Sequence, residues 1–237
     1  MSDILRRKIP TNRQIKTRKA ILKSYEDLDP VDSQFYGFEQ GNKKTGETNP
    51  RGEVVLVWNL PPVVTCPGAD VCLEFCYNAD TRINVFPLES WCVNWFWALN
   101  KKDACMEKIN SILKCYAAPV VRVHSSGDFF SIDYIKMWVD IANQNPHAKF
   151  WAYTRSWKVP HLVEAIQILS QVSNFNLFAS INKNETPPSG MRCCIVGEDD
   201  RLEGYFNCPE QYMNGPQCIE CRECFTKNKT NIYFSKH

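Results

Sequence analysis

The chain has 237 residues, of which 44% are hydrophobic and 23% charged, values that give room for one sizeable domain with or without a small appendage. They exclude wholesale disorder, a collagen-like repeat and a coiled coil. Lys plus Arg number 28 against 26 Asp plus Glu, a formal charge of +2, so no whole-chain field points to nucleic acid or an anionic membrane. Residues 1–50 read as a basic arm and loop. Arg6, Arg7, Lys8, Arg13, Lys16, Arg18, Lys19 and Lys23 oppose the single acid Asp3 across residues 1–24. Such an arm either meets nucleic acid or an acidic host partner, or is a solvated extension. Residues 40–51 follow as an exposed turn or loop.

Residues 51–200 read as an α/β core. Strand one is Glu53–Trp58, ended by Asn59-Leu60-Pro61-Pro62, and an aromatic-rich stretch over 88–115 reads as helix. Strand two covers 120–124. Ser131 then caps a helix with Ile132, Ile135, Val139 and Ala142 on one face, and Pro146 ends it. Strand three is Lys149–Thr154, Pro160 opens a further helix, and strand four is Phe175–Ile181. Strand starts at 120, 149 and 175 are spaced like βαβ units. The expected fold is therefore a partial (β/α) barrel or an open parallel sheet of four to six strands, with active groups in the loops after the strands.

Twelve cysteines are the feature that most needs explaining. The amino terminus holds no apolar signal segment, and no window approaches the roughly 20 apolar residues of a membrane span. A reduced, cytoplasmic protein without membrane partners is the expectation, and there clustered thiolates hold metal more often than one another. Cys66, Cys72 and Cys76 crowd the loop after strand one, around a Pro67-Gly68 turn that lets backbone N–H groups face the sulfurs. Three local thiols are one short of a closed structural zinc site, whereas a cubane can leave one iron open. Ordinary buried thiols are the bland alternative.

Residues 201–237 form a cysteine-rich segment in which Cys218, Cys221 and Cys224 have ferredoxin-like spacing, with Cys208 available as a fourth sulfur. Pro209, Gly215 and Pro216 argue for a loop around this centre rather than a helix end. One or two [4Fe-4S] clusters are expected, with zinc as the alternative. Cys92, Cys105 and Cys115 read as core thiols. Cys193 and Cys194 read as a short strand pointing to opposite faces, so at most one of them completes the three-cysteine site. After strand two, His124 is a candidate metal ligand or proton carrier and Asp128 a candidate grip for an amine or hydroxyl, unless Asp128 or Ser131 serves as a helix cap. Arg155, after strand three, is a candidate anion binder or a surface ion pair.

Cys66-Pro67-Gly68, Cys76-Tyr77, the run from Arg122 to Phe129, the run from Phe150 to Ser156 and the terminal cysteines together resemble the bacteriophage gene product eighty-eight family over roughly residues 50–225. The resemblance implies a viral protein in the cytoplasm of an infected cell and implies no reaction. More distantly, the arrangement is similar to radical S-adenosylmethionine enzymes. It implies a partial or complete α/β barrel, a cluster on Cys66, Cys72 and Cys76, and cofactor binding at Ser126, Gly127 and Asp128. The C-x5-C-x3-C spacing differs from the C-x3-C-x2-C of that superfamily. Two functions follow as expectations: an iron–sulfur redox or radical enzyme, or a non-catalytic metal-stapled binder of nucleic acid or a host protein.

Overall fold

The computed structural model describes residues 16, 19, 21–23, 25–26, 34–74, 76, 78, 85–197, 201–212 and 214–235. Most of the basic 1–24 arm lies outside the described residues. The strands in chain order are β1 (Glu39–Gln40), β2 (Glu53–Trp58), β3 (Ala118–Val123), β4 (Lys149–Thr154), β5 (Phe175–Ile181), β6 (Arg192–Gly197), β7 (Phe206–Asn207) and β8 (Ile232–Ser235). The helices are α1 (Val85–Asn100), α2 (Lys102–Lys114), α3 (Ile132–Gln144), α4 (Val163–Gln171) and the single turn α5 (Cys218–Cys221). The strands form one open sheet in the order β1-β2-β3-β4-β5-β6-β8-β7. Every pairing is parallel except the edge pair β1 with β2.

Among the described residues the sheet thus has eight strands rather than four to six, and it is open. Two of the additions, β1 and β7, are two residues long and carry no periodic signal. The central strands are apolar on both faces because both faces are covered. Leu56, Val121, Phe150, Leu177 and Ile195 meet a large core with Trp91, Ile109, Trp138 and Ile166 from the helices. On the other face Val55, Val57, Val120 and Trp151 pack against Ile219 and Phe225, while Phe178, Cys194 and Ile232 pack against Cys208. The cysteine-rich segment is therefore a roof over the face opposite the helices.

Three further expectations are corrected. The stretch 88–115 is two helices, broken at Lys101, whose φ of −133° and ψ of 44° are not helical. The break lets α2 turn its own buried stripe of Cys105, Ile109 and Leu113 to the core. Cys115 lies just past that stripe, at the C-cap, and is exposed rather than core. The run Cys218–Cys221 is a helical turn and not a loop, because Gln217 and Glu220 form a reciprocal capping box at its start. The α3 cap is as expected, with Ser131 accepting from the Tyr134 N–H at 3.2 Å. Among the described residues no helix is long and apolar enough to cross a membrane.

Candidate metal centres

The first group is built where the loops after β2, β3 and β4 meet at the carboxyl ends of the strands. Asn59 ends β2 and its side-chain oxygen accepts the backbone N–H groups of Ser125 and Ser126 at 2.8 and 2.9 Å. That stitches the β2 loop to the β3 turn. Gly127 has a φ of +86°, and a Cβ there would stand 2.6 Å from Leu60 Cβ. Gly68 rests so closely on the β4 loop that a Cβ would fall 1.9 Å from the Arg155 carbonyl oxygen. Cys66 and its neighbours are seated by that contact.

Asp128 ties the loops together from within. It accepts from the Phe129 N–H at 2.7 Å, the Thr154 hydroxyl at 2.6 Å and the Arg155 N–H at 2.9 Å. Burial pushes its carboxyl up to about 6 against these bonds. Arg155 is buried and meets Asp70 at 3.0 Å, Glu185 at 3.3 Å and Asn182 at 3.4 Å. Lys158 reaches the same two carboxylates.

Cys66, Cys72 and Cys76 converge beside this network. Burial holds the Cys66 thiol well above its ordinary range, with the Asp128 charge and the two other thiols adding to it. Cys72 is pushed up to about 11 by burial and by Cys76, while Arg155 pulls the other way. Crowded, half-buried thiols of this kind are stabilised as thiolates by a cation. Ser126 lies buried in the same turn, and its hydroxyl has no hydrogen-bond partner.

His124 points elsewhere. Its φ of +69° ends β3, and its ring enters the helix-side layer, 5.7 Å from the Tyr134 ring and 4.7 Å from that of Phe129. Its Nε2 meets the Tyr134 hydroxyl at 2.8 Å, and Tyr134 also accepts from Trp58 Nε1 at 2.9 Å. Burial lowers the imidazole to about 3, so the ring is neutral.

The second group lies in the roof. Cys208 follows β7, Cys218 and Cys221 begin and end α5, and Cys224 lies one turn further on; the four line one small pocket. Three anchors hold this turn against the sheet. The Cys218 and Ile219 N–H groups donate to the Lys44 and Thr45 carbonyls at 3.1 and 3.0 Å. Arg222, at a φ of +67°, pairs with the buried Glu53 of β2. The Tyr153 hydroxyl donates to Cys224 Sγ at 2.8 Å. Burial pushes Cys218 up to about 11 and Cys224 up to about 12, and the neighbouring thiols add to both. Among the described residues no three His, Cys, Asp or Glu side chains close round one point as ligands of a single ion would.

A family model described as Gene product 88 matches residues 36–233, a span that takes in both cysteine groups. The chain belongs to the Gene product 88 family. The Gene 88 protein of Mycobacterium phage L5 is 46% identical to it over 39 residues, a stretch that covers 16% of each chain. Family and relative place this Gene product 88 protein among bacteriophage proteins. No solved structure matches it.

Cys193 faces the helix-side core of this family member, and Cys194 faces the roof. Burial pushes Cys194 up to about 12, and it feels the charges of Cys224 and Arg155, so it stands between the two groups. Tyr153 falls with Arg155 on the face after strand three, whereas Asn59, Asp70, Lys158, Glu185 and Glu53 carry no functional reading in the sequence. Asn59 alone left a signal there, as the polar residue that ends an apolar strand before Pro61-Pro62.

Proposed function

We propose that this Gene product 88 protein is an iron–sulfur protein, with one [4Fe-4S] cluster on Cys208, Cys218, Cys221 and Cys224 and a second on Cys66, Cys72 and Cys76. The observation that carries the reading is the convergence of four thiols, spread over 16 positions from Cys208 to Cys224, on one pocket of the roof. Their C-x2-C-x2-C run has the spacing of ferredoxin-type ligands, whereas zinc ribbons favour two separated C-x2-C pairs. A bound four-iron cluster supplies one-electron transfer and, where a thiolate is missing, an open iron.

The protein's own contribution is positional. Gly68 and Asp128 fix the three-thiol loop against β4, and Arg155 supplies positive charge beside it. Tyr153 and Cys194 line the face between the groups. The proposal extends to a redox or radical reaction in which S-adenosylmethionine meets the turn of Ser126, Gly127 and Asp128. Support for that extension is the position of the turn beside the three thiols and the unpartnered Ser126 hydroxyl. Asp128 takes part as a tie rather than as a free acceptor, since both its oxygens already accept from the protein.

The test is iron, sulfide and zinc analysis of anaerobically purified protein, with visible and electron paramagnetic resonance spectra. About eight irons and matching sulfide are expected. Cys221→Ala should lose about half of the iron, while Cys105→Ala, in the helix-side core, keeps it all. Zinc without visible absorption overturns the reading and leaves a metal-stapled binding module. An iron spectrum unmoved by S-adenosylmethionine overturns only the radical extension.

A further inference from the structure

Two side chains of the sheet reach the roof thiols without being thiols themselves. Arg122 of β3 pairs in register with Trp151 of β4, and Tyr153, two residues further along β4, stands on the same face. Both line the space beneath Cys208, Cys218 and Cys224. The Tyr153 ring is fixed by Phe178 at 5.1 Å and by Phe234, edge-on, at 5.5 Å. Held there, its hydroxyl donates to Cys224 Sγ at 2.8 Å. The positive charge of Arg122 acts on Cys218. Other charges around these thiols come in opposed pairs, Lys44 with Glu210 at 2.8 Å and Arg192 with Glu223 at 3.5 Å. Tyr153 and Arg122 therefore add a hydrogen-bond donor and a positive charge directed at sulfur.

Reduction of an iron–sulfur cluster makes it more negative, and donors or cations facing its sulfurs favour that state. We propose that Tyr153 and Arg122 set the reduction potential of the roof cluster, raising it through Cys224 and Cys218. Neither residue is a ligand of iron. The inference rests on the cluster reading of Cys208, Cys218, Cys221 and Cys224, and it assigns that centre the tuning which cysteine spacing does not specify. The three-thiol group sits in a different field, where Asp128 and Asp70 act on Cys72 alongside Arg155.

The experiment is potentiometric titration of the anaerobically purified, iron-loaded protein with dithionite, followed by electron paramagnetic resonance, with iron counted on every sample. The wave missing from Cys221→Ala is that of the roof. In Tyr153→Phe this wave should move to lower potential, so that at the midpoint of the unaltered protein the reduced-to-oxidised ratio falls about threefold or more, with iron unchanged. Arg122→Gln should lower the ratio likewise, and Arg122→Lys, which keeps the charge, should restore most of it. The other wave stays in place. A smaller change in either Tyr153→Phe or Arg122→Gln at full iron overturns this inference and leaves the cluster reading standing. An equal shift of both waves also overturns it, because it would report an altered fold and not a bond to one sulfur. Loss of iron from Tyr153→Phe does the same, by assigning the hydroxyl to retention of the metal. Unaltered protein without iron, or Cys221→Ala without a missing wave, overturns the roof cluster and this inference together.

Discussion

His124 combines a left-handed backbone, full burial and a hydrogen bond through Nε2, while its Nδ1 has no partner. Its imidazole falls from 6.5 to about 3 through burial, so the unfolded chain binds a proton over this window and the folded chain does not. Stability from this residue is full above pH 6.5 and is lost as pH falls towards 3, by at most about 5 kcal/mol. Asp128 acts in the opposite sense. Its carboxyl rises from 3.8 to about 6 through burial, so the fold gains stability as pH falls through 6 towards 4. The two slopes oppose each other between pH 4 and 6. In His124→Gln only the second slope remains, and urea midpoints should rise from pH 6.5 to 4.5 where those of the unaltered protein stay flat or fall. Identical pH profiles for the two proteins would show that His124 is protonated in the fold.

At the level of the element, α5 and the turn after it are held to the sheet by Glu53. Burial alone would raise its carboxyl, but hydrogen bonds from Lys149, Asn49 and Arg222 outweigh that and hold it at about 2 rather than 4.5. The stability it contributes is therefore present above pH 4.5 and lost as pH falls towards 2. Glu53→Gln should cost about 2 kcal/mol at pH 7, below the cost of breaking a fully buried pair because Lys149 is partly exposed, and the deficit should vanish near pH 2. A deficit that persists into acid would mean the effect is packing and not charge.

The same elements show what sequence carries. β2, β4 and β5 were legible because a strand buried on both faces is a continuous apolar run. The break at Lys101 was not, since it has neither Gly nor Pro and the periodicity passes through it. α5 was hidden by the Pro and Gly residues beside it, although Gln217 and Glu220 stood at capping-box spacing. Cysteine spacing announced both thiol groups. The network of Asp70, Arg155, Lys158 and Glu185 did not show, because its members come from the loops after β2, β4 and β5 and only the fold gathers them.

Across the whole molecule the sheet separates two unlike halves. One side holds the large core under α1 to α4, independent of the cysteine groups; the other has two small apolar clusters under a roof that carries four thiols. Bound metal adds its binding energy to the side that holds the ligands. If the roof holds the proposed cluster, removing iron by anaerobic chelation should therefore speed hydrogen exchange at the roof amides, Arg222 and Phe225 among them, by at least tenfold. Amides of β3, β4 and β5 should remain protected. Uniform acceleration throughout the sheet would show that the two halves unfold as one.

The order of the last strands has a kinetic consequence. β8 lies between β6 and β7, and β7 pairs with β8 alone. β7 and the adjoining Cys208 therefore have no template until residues 232–235, more than twenty positions later, have docked on β6. The β7 edge of the roof is thus completed in reverse of chain order, after a loop closure of more than twenty residues. Before that step the four thiols are not gathered, so under the cluster reading a metal donor would meet an open chain instead of a finished site.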